Sequence, residues 1–180
     1  MARGRRKAAG QVDLLTASGT TAPAVPLIRE AVGSWRGQGY RGISDTTRTL
    51  LAWWFPPDGH RGRRGPAFRY HPFQREAIET LVYLYEVEQV RRQKTLLETF
   101  VRRPDLQLLQ YDDFARYCLK MATGSGKTKV ISLAVAWQYL NAVVEGNDDF
   151  ARTFLVLAPN VIVYERLRAD FAGGRIFKTD

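Results

Sequence analysis

The sequence contains only one cysteine, Cys118, among its 180 residues. A single cysteine excludes an internal disulfide, so we expect the protein to reside in a reducing compartment, the cytoplasm. Cys118 lies in an apolar run, which predicts a small buried side chain. The sequence also lacks the uncharged run of about 18 residues that a membrane span needs, because the nearest candidate, residues 130–144, is too short. No secretory-type apolar stretch follows the basic start, and no repeats occur.

Acidic residues are scarce beside basic ones, with 18 Asp and Glu against 27 Lys and Arg and a net charge of +9. The imbalance is local, since residues 1–70 contain 12 basic and 4 acidic side chains, whereas residues 71–180 contain 15 and 14. A polyanion such as nucleic acid is the simplest partner for this surplus. The alternative is a basic tail that serves only solubility.

The composition divides the chain into three parts. Residues 1–25 are basic and show no periodicity, which predicts a flexible arm. Residues 26–66 are predicted to form a small helical extension and a basic linker, in which Trp53 and Trp54 are core residues rather than platforms for stacked bases. A Pro-Pro-Asp-Gly turn at residues 56–59 opens that linker. Residues 67–180 are predicted to form the first part of an ATP-binding domain.

The third part is predicted to consist of alternating helices and strands. Pro72 begins a helix that the apolar spacing extends to Gln93, with Arg102 as its outer limit, and that leaves Glu79 and Glu86 largely off the apolar stripe. A strand is predicted at residues 115–121, a helix at residues 127–144, a second strand at residues 153–158 and a helix to Phe171. Strands that alternate with helices predict an α/β fold with a parallel sheet.

The glycine loop, defined here as residues 121–128, lies between a predicted strand and a predicted helix and ends in Gly-Lys-Thr. Its glycines permit turns that point backbone amides inward, and the following helix adds its positive end, so the loop can cradle phosphate oxygens. A lysine here reaches the β- and γ-phosphates, and the final threonine ligates Mg²⁺. The predicted ATP-binding residues are Thr123, Gly124, Ser125, Gly126, Lys127 and Thr128.

Three segments together resemble superfamily 2 helicases. Ala-Thr-Gly-Ser-Gly-Lys-Thr at residues 122–128 resembles their motif I, Phe-Gln-Arg-Glu-Ala-Ile at residues 73–78 resembles the Q motif, and Leu-Val-Leu-Ala-Pro-Asn at residues 155–160 resembles motif Ia. The sequences of the three segments together are most similar to the Res subunit of type III restriction enzymes and its DEAD/DEAH-helicase relatives. Met121, a departure from the general phosphate-loop pattern, is usual in that family.

The resemblance implies the roles of further residues. Gln74 would recognise adenine, with Tyr70 or Phe68 as a stacking surface. Pro159, Asn160 and Arg166 would contact the nucleic-acid backbone, although Asn160 also suits a helix cap and Arg166 a solvated helix face. The implied function is an ATP-dependent translocase on double-stranded DNA that works with a methyltransferase subunit and carries a nuclease farther along.

Part of the expected machinery is missing from the sequence. Hydrolysis by such motors needs an Asp-Glu motif on a later strand and arginines from a second lobe, and no Asp-Glu dipeptide occurs. We therefore expect an N-terminal fragment with a partial RecA-like domain, whose own status as an enzyme is open. The alternatives are a non-catalytic nucleotide- or DNA-binding remnant, and a phosphate-loop NTPase that does not act on nucleic acid.

Overall fold

The computed structural model describes residues 24–59, 69–101 and 115–178. Its helices are α1 (Ala24–Gly37), α2 (Asp45–Trp54), α3 (Pro72–Val82), α4 (Gln93–Phe100), α5 (Lys127–Val144), α6 (Val161–Phe171) and α7 (Arg175–Lys178). A π-helical turn, Tyr83–Val87, continues α3, and a 3₁₀ turn, Ala172–Gly174, joins α6 to α7. None of the described helices combines the length and the apolar character that a bilayer span requires.

The predicted parallel sheet of a RecA-like α/β fold is wrong for this structure, because no residue in the described ranges lies in a β-strand. Both predicted strands, residues 115–121 and 153–158, lack regular secondary structure. A strand needs partners for its backbone groups and layers over its apolar faces. Leu155 and Leu157 are 83% and 81% exposed, so none of the described elements covers that segment. Cys118 in the other segment is also exposed, contrary to its predicted burial.

The core lies between five helices, α1 to α5. Helix α1 packs against α3 and α4, while α5 packs against both α2 and α3. Each helix presents an apolar stripe at three- and four-residue spacing, which is the pattern of a helix with one buried face. The most deeply buried members of this core include Val32, Trp35, Leu51, Trp54, Ile78, Val82, Val130, Leu133 and Trp137.

Helices α1 and α2 lie where the sequence predicted a helical segment, but only one tryptophan of the adjacent pair is in the core. Trp54 is 6% exposed and Trp53 is 57% exposed. The two side chains point in different directions because successive helical residues are rotated by about 100°. The prediction that both are buried is therefore wrong for Trp53.

Helix α3 is shorter than predicted. It ends at Val82, and Gln89, after the π-helical turn, has a positive φ of 52° that takes the backbone out of the helix. The backbone N–H of Val90 then donates to the carbonyl of Leu84 at 2.8 Å, which closes the turn before α4. The prediction of one continuous helix to Gln93 or Arg102 is therefore wrong. The spacing of apolar residues does not reveal such a local break in a helix.

The proposed division into three parts stays a prediction. Of the arm, only residues 24 and 25 are described, and they begin α1. The predicted turn before the linker is present, since the N–H of Gly59 donates to the carbonyl of Pro56 at 3.1 Å, while residues 60–68 lie outside the described ranges.

Candidate nucleotide-binding site

The glycine loop turns sharply into α5, whose observed bounds match the predicted helix at residues 127–144. Gly124 and Gly126 have φ values of +78° and +77°, a left-handed conformation that glycine adopts without strain. Inside the loop, the backbone N–H and the hydroxyl of Ser125 both donate to the carbonyl of Ala122, at 3.3 and 2.7 Å. The loop is therefore a compact turn, not an open connection.

A side chain at Gly126 would meet a close neighbour in addition to an unfavourable φ angle. A β-carbon added there would lie 2.4 Å from Nε2 of Gln74, well inside van der Waals contact. No other residue fits this position without displacing the Gln74 amide. The loop and the first turn of α3 are therefore matched to each other in shape.

The side chain of Gln74 connects α3 to the glycine loop. Its Oε1 accepts a hydrogen bond from the backbone N–H of His71 at 2.9 Å, as in a capping box, and its Nε2 donates to the carbonyl of Ser125 at 2.9 Å. Gln74 is only 8% exposed, so it does not simply face water from the end of a helix. The structure thus brings together the two segments that the sequence linked to nucleotide recognition.

Lys127 folds back over the loop. Its ammonium donates to the carbonyls of Ala122 at 2.7 Å and of Met121 at 3.2 Å while the residue stays exposed. Of the two threonines predicted to bind ATP, Thr128, the predicted Mg²⁺ ligand, is half-buried and Thr123 is exposed. The Lys127 ammonium is therefore held by backbone oxygens that a phosphate could replace.

The N-terminus of α5 adds positive potential at the same place. The helix has 18 residues, and its N-cap, Gly126, provides no side-chain acceptor for the first amides. Uncapped amides and the helix dipole together favour an anion at a helix N-terminus. The loop, the helix end and Lys127 thus have the donor chemistry of a phosphate site.

Carboxylates are not gathered around this loop. Within the described ranges, no cluster of three or more His, Cys, Asp or Glu side chains could hold a metal ion. Asp148 and Asp149 occupy a turn after α5, and the acidic pair at residues 112–113 lies outside the described residues. A magnesium ion here would depend on the Thr128 hydroxyl, on phosphate oxygens and on water.

The aromatic residues next to Gln74 differ from the expected stacking pair. Tyr70 packs edge-on against Phe55, with ring centroids 5.4 Å apart, and Phe68 lies outside the described residues. The rings of His71 and Phe73 are stacked 5.1 Å apart with an interplanar angle of 7°. Phe73 is 45% exposed, so an aromatic surface that the sequence reasoning missed lies beside Gln74.

The predicted nucleic-acid residues lie on another element. Asn160 caps α6, accepting a hydrogen bond from the N–H of Val163 at 3.0 Å, and Pro159 precedes it in a bend. Arg166 is exposed on the same helix. The cap role weighed for Asn160 is present, while a contact of any of the three residues with DNA stays a prediction.

Sequence reasoning missed a buried carboxylate behind Gln74. Glu79 is fully buried and accepts hydrogen bonds from Arg36, Tyr40 and Arg75, although it was expected off the apolar stripe of its helix. Glu86, expected there too, accepts from Trp137. The four-residue spacing of Arg75 and Glu79 was the one available signal. The partners from α1 and its following turn could not be seen in the sequence.

One comparison with known proteins identifies a family. The model of the family described as "Type III restriction enzyme, res subunit" matches residues 67–179, which is more than half of the chain. The match includes Gln74, the glycine loop and α6, and it excludes α1 and α2. No curated protein and no solved structure matches the chain.

Proposed function

The chain belongs to the type III restriction enzyme Res subunit family, and we propose that it is the ATP-binding portion of a helicase-like, ATP-dependent DNA translocase. Membership makes the domain helicase-like. Binding of ATP with Mg²⁺ to the glycine loop, and translocation on double-stranded DNA, are the specific steps of this proposal.

The observation that carries the proposal is the contact between Gln74 and the glycine loop. An adenine-reading amide must lie beside the phosphate cradle, because one nucleotide spans both. The Gln74 amide is 2.9 Å from the carbonyl of Ser125, although 51 positions separate the two residues. Capping of α3 requires only the bond between Gln74 and His71, so the second bond, to Ser125, is not explained by capping.

The residues of the loop fit a nucleoside triphosphate. Phosphate oxygens would replace the carbonyls of Met121 and Ala122 as acceptors for Lys127, and this exchange gains a charge-assisted hydrogen bond. The first amides of α5 and the backbone of Thr123, Gly124 and Ser125 supply further donors. Thr128 would hold Mg²⁺, which neutralises phosphate charge.

The DNA part of the proposal depends on charge and on α6. The basic excess of residues 1–70 suits a polyanion, and α6 offers a helix N-terminus next to Pro159 and Asn160, with Arg166 exposed farther along. Family membership favours DNA as the polyanion. A methyltransferase subunit is the protein partner that this reading predicts.

Equilibrium binding of a fluorescent ATP analogue with Mg²⁺ tests the nucleotide claim. We expect Lys127→Ala to weaken binding roughly 10- to 100-fold, since a charged hydrogen bond contributes about 1.5–3 kcal/mol. Gln74→Ala should weaken ATP binding as well. Lys120→Ala is the matched control, because Lys120 is an exposed lysine in the segment before the loop, and it should bind like the native chain.

A folded protein whose binding is insensitive to Lys127→Ala would overturn the nucleotide claim. Steady-state hydrolysis with and without duplex DNA then separates the remaining readings. Turnover stimulated by DNA supports the motor, whereas turnover unaffected by DNA indicates an NTPase that does not act on nucleic acid.

A second candidate is a nucleotide- and DNA-binding protein without turnover. The observation in its favour is that the 180 residues contain no Asp-Glu dipeptide to position magnesium and water. Nucleotide binding that depends on Lys127, combined with no measurable hydrolysis, would support this candidate over the motor.

A further inference from the structure

Glu79 is a buried carboxylate that joins α1 to α3. Its side chain is 0% exposed, and it accepts hydrogen bonds from Nε of Arg36 at 2.9 Å, from the hydroxyl of Tyr40 at 2.5 Å and from Nε of Arg75 at 2.7 Å. A second guanidinium nitrogen of Arg36 also donates to it. The hydrogen bond to Glu79 raises the pKa of Arg36, while burial and then the same carboxylate raise the pKa of Tyr40. Two guanidinium groups and one hydroxyl therefore bind the buried carboxylate.

The carboxylate is connected to the candidate site through Arg75, the residue that follows Gln74. Arg75 donates to Glu79 and also, at 2.6 Å, to the hydroxyl of Tyr40, and its guanidinium lies 5.3 Å from the ring centroid of Phe55. These contacts fix the first two turns of α3 from behind. The rotation of α3 about its axis sets the direction of the Gln74 side chain, which is held against the loop on the same two turns.

The groups that hold Arg75 and Glu79 come from outside the matched family region. Arg36, Tyr40 and Phe55 belong to α1, the turn after it and the end of α2, whereas the family match begins at residue 67. The segment before the helicase-like region therefore completes a network inside it. This network, defined as Arg36, Tyr40, Arg75 and Glu79, joins α1 and the turn after it to α3.

We propose that Glu79, held by Arg36 and Tyr40, is a positioning residue that aligns Gln74 for nucleobase recognition, so that α1 and the turn after it set the base selectivity of the site. This inference rests on the proposed function, because it assumes that the glycine loop binds a nucleoside triphosphate. Lys127 lies on α5, which packs against α2 as well as α3, and none of the described hydrogen bonds among the four network residues reaches α5 or the glycine loop. Loosening the network therefore affects the base end of the site more than the phosphate end.

The measurement is the ratio of dissociation constants for fluorescent GTP and ATP analogues with Mg²⁺, using the full 180-residue chain. We expect the native protein to favour ATP, and Gln74→Ala to bring the ratio close to one. Glu79→Gln, Arg36→Met and Tyr40→Phe should each lower the ratio toward that of Gln74→Ala, mainly by weakening ATP binding several-fold. Their affinity for GTP, which reports the phosphate contacts, should change less than twofold.

A matched control comes from the same pair of helices. Arg29 on α1 and Glu76 on α3 form an ion pair at 2.5 Å, but their side chains are 58% and 35% exposed, and neither bonds to the network in the described contacts. Arg29→Met and Glu76→Gln should retain the native ratio. A merely structural role for Glu79 would lower the affinity for both nucleotides by the same factor and leave the ratio unchanged.

Each outcome decides between the two claims. A native protein that binds neither nucleotide overturns the proposed function together with this inference. Triphosphate binding without base preference leaves the proposed function standing and overturns the inference alone, as does a selectivity that survives all three network variants. If Glu79→Gln does not fold, Tyr40→Phe decides the question, because it removes a single hydroxyl and keeps both arginines paired with Glu79.

Discussion

Helices α5 and α6 both follow a loop and both carry adjacent apolar residues, but only α5 buries side chains in the core. Helix α5 buries Val130, Leu133 and Trp137, whereas α6 has no buried residue, and its Val161 and Ile162 are 73% and 76% exposed. The reason is the neighbour, since α5 packs against α2 and α3, while α6 contacts α7 and the 3₁₀ turn. Apolar side chains make a core only where a second apolar surface meets them.

The same contrast holds for polar groups. On the α5 side, Asn141 donates to the hydroxyl of Thr47 at 2.9 Å, and the Trp137 indole donates to Glu86 at 2.6 Å. On α6, the described ion pair, Arg168 with Glu165, is 3.9 Å long and exposed. Exposed pairs contribute little, whereas buried donors are costly to leave without acceptors. The two regions therefore respond differently to matched substitutions.

Isoleucine truncation has the largest expected effect. Ile78→Ala removes a side chain that is 0% exposed and should lower the free energy of unfolding by about 2–5 kcal/mol, because it leaves a cavity. Ile162→Ala on α6 should change it by less than about 0.5 kcal/mol. Urea titration followed by circular dichroism measures both values. Equal decreases in the free energy of unfolding would mean that α6 is buried in solution, like the core helices.

Glutamate substitution has the next largest effect. Glu86 accepts hydrogen bonds from the backbone of Ser44 at 2.9 Å, from Thr47 at 2.5 Å and from Trp137. Glu86→Ala removes the acceptor of the Ser44 and Thr47 donors, leaves Trp137 only its bond to the Thr47 hydroxyl, and should cost about 1–3 kcal/mol. Glu165→Ala on α6 is the control and should be close to neutral by the same denaturation assay. A neutral Glu86→Ala would show that water replaces the carboxylate.

The N-caps of α2 and α6 are alike in geometry but are expected to differ in their effect on stability. Ser44 accepts from the N–H of Thr47 at 2.9 Å and Asn160 from that of Val163 at 3.0 Å, so each alanine variant loses a cap of about 1 kcal/mol. Ser44→Ala should lower global stability, because α2 belongs to the core. Asn160→Ala should instead speed hydrogen exchange of α6 amides alone. Faster exchange throughout the core in Asn160→Ala would contradict local opening of α6.

The smallest expected effect is a pH dependence in the core region. Burial, and then a hydrogen bond to Glu88, raises the pKa of Tyr83 from 10.0 to about 12. The unfolded chain loses this proton first, so the stabilisation is complete below pH 10 and is lost as the pH rises towards 12. Denaturation midpoints across this range should fall more steeply in the native protein than in Tyr83→Phe. Tyr164→Phe, on α6, controls for the substitution itself.

The candidate site shows what sequence reasoning can and cannot reach. Gln74 and the glycine loop were linked through motifs, and they lie in contact, because motif residues report local chemistry that the fold preserves. The helix that follows the loop was also predicted with its observed bounds. Glu79 was misplaced, because its partners Arg36 and Tyr40 lie about 40 positions away and are not marked by any local pattern.

The sequence by itself determined local features of this protein: the bounds of α5, the glycine-rich turn before it and the short motifs that indicate the family. Each of these depends on residues close together in the chain, where backbone sterics and spacing act directly. Only the tertiary structure decided which apolar segments are buried, and it left residues 153–158 uncovered while placing α5 in the core. Burial and strand pairing require a second surface, and that surface comes from residues distant in the chain that only the tertiary structure brings close.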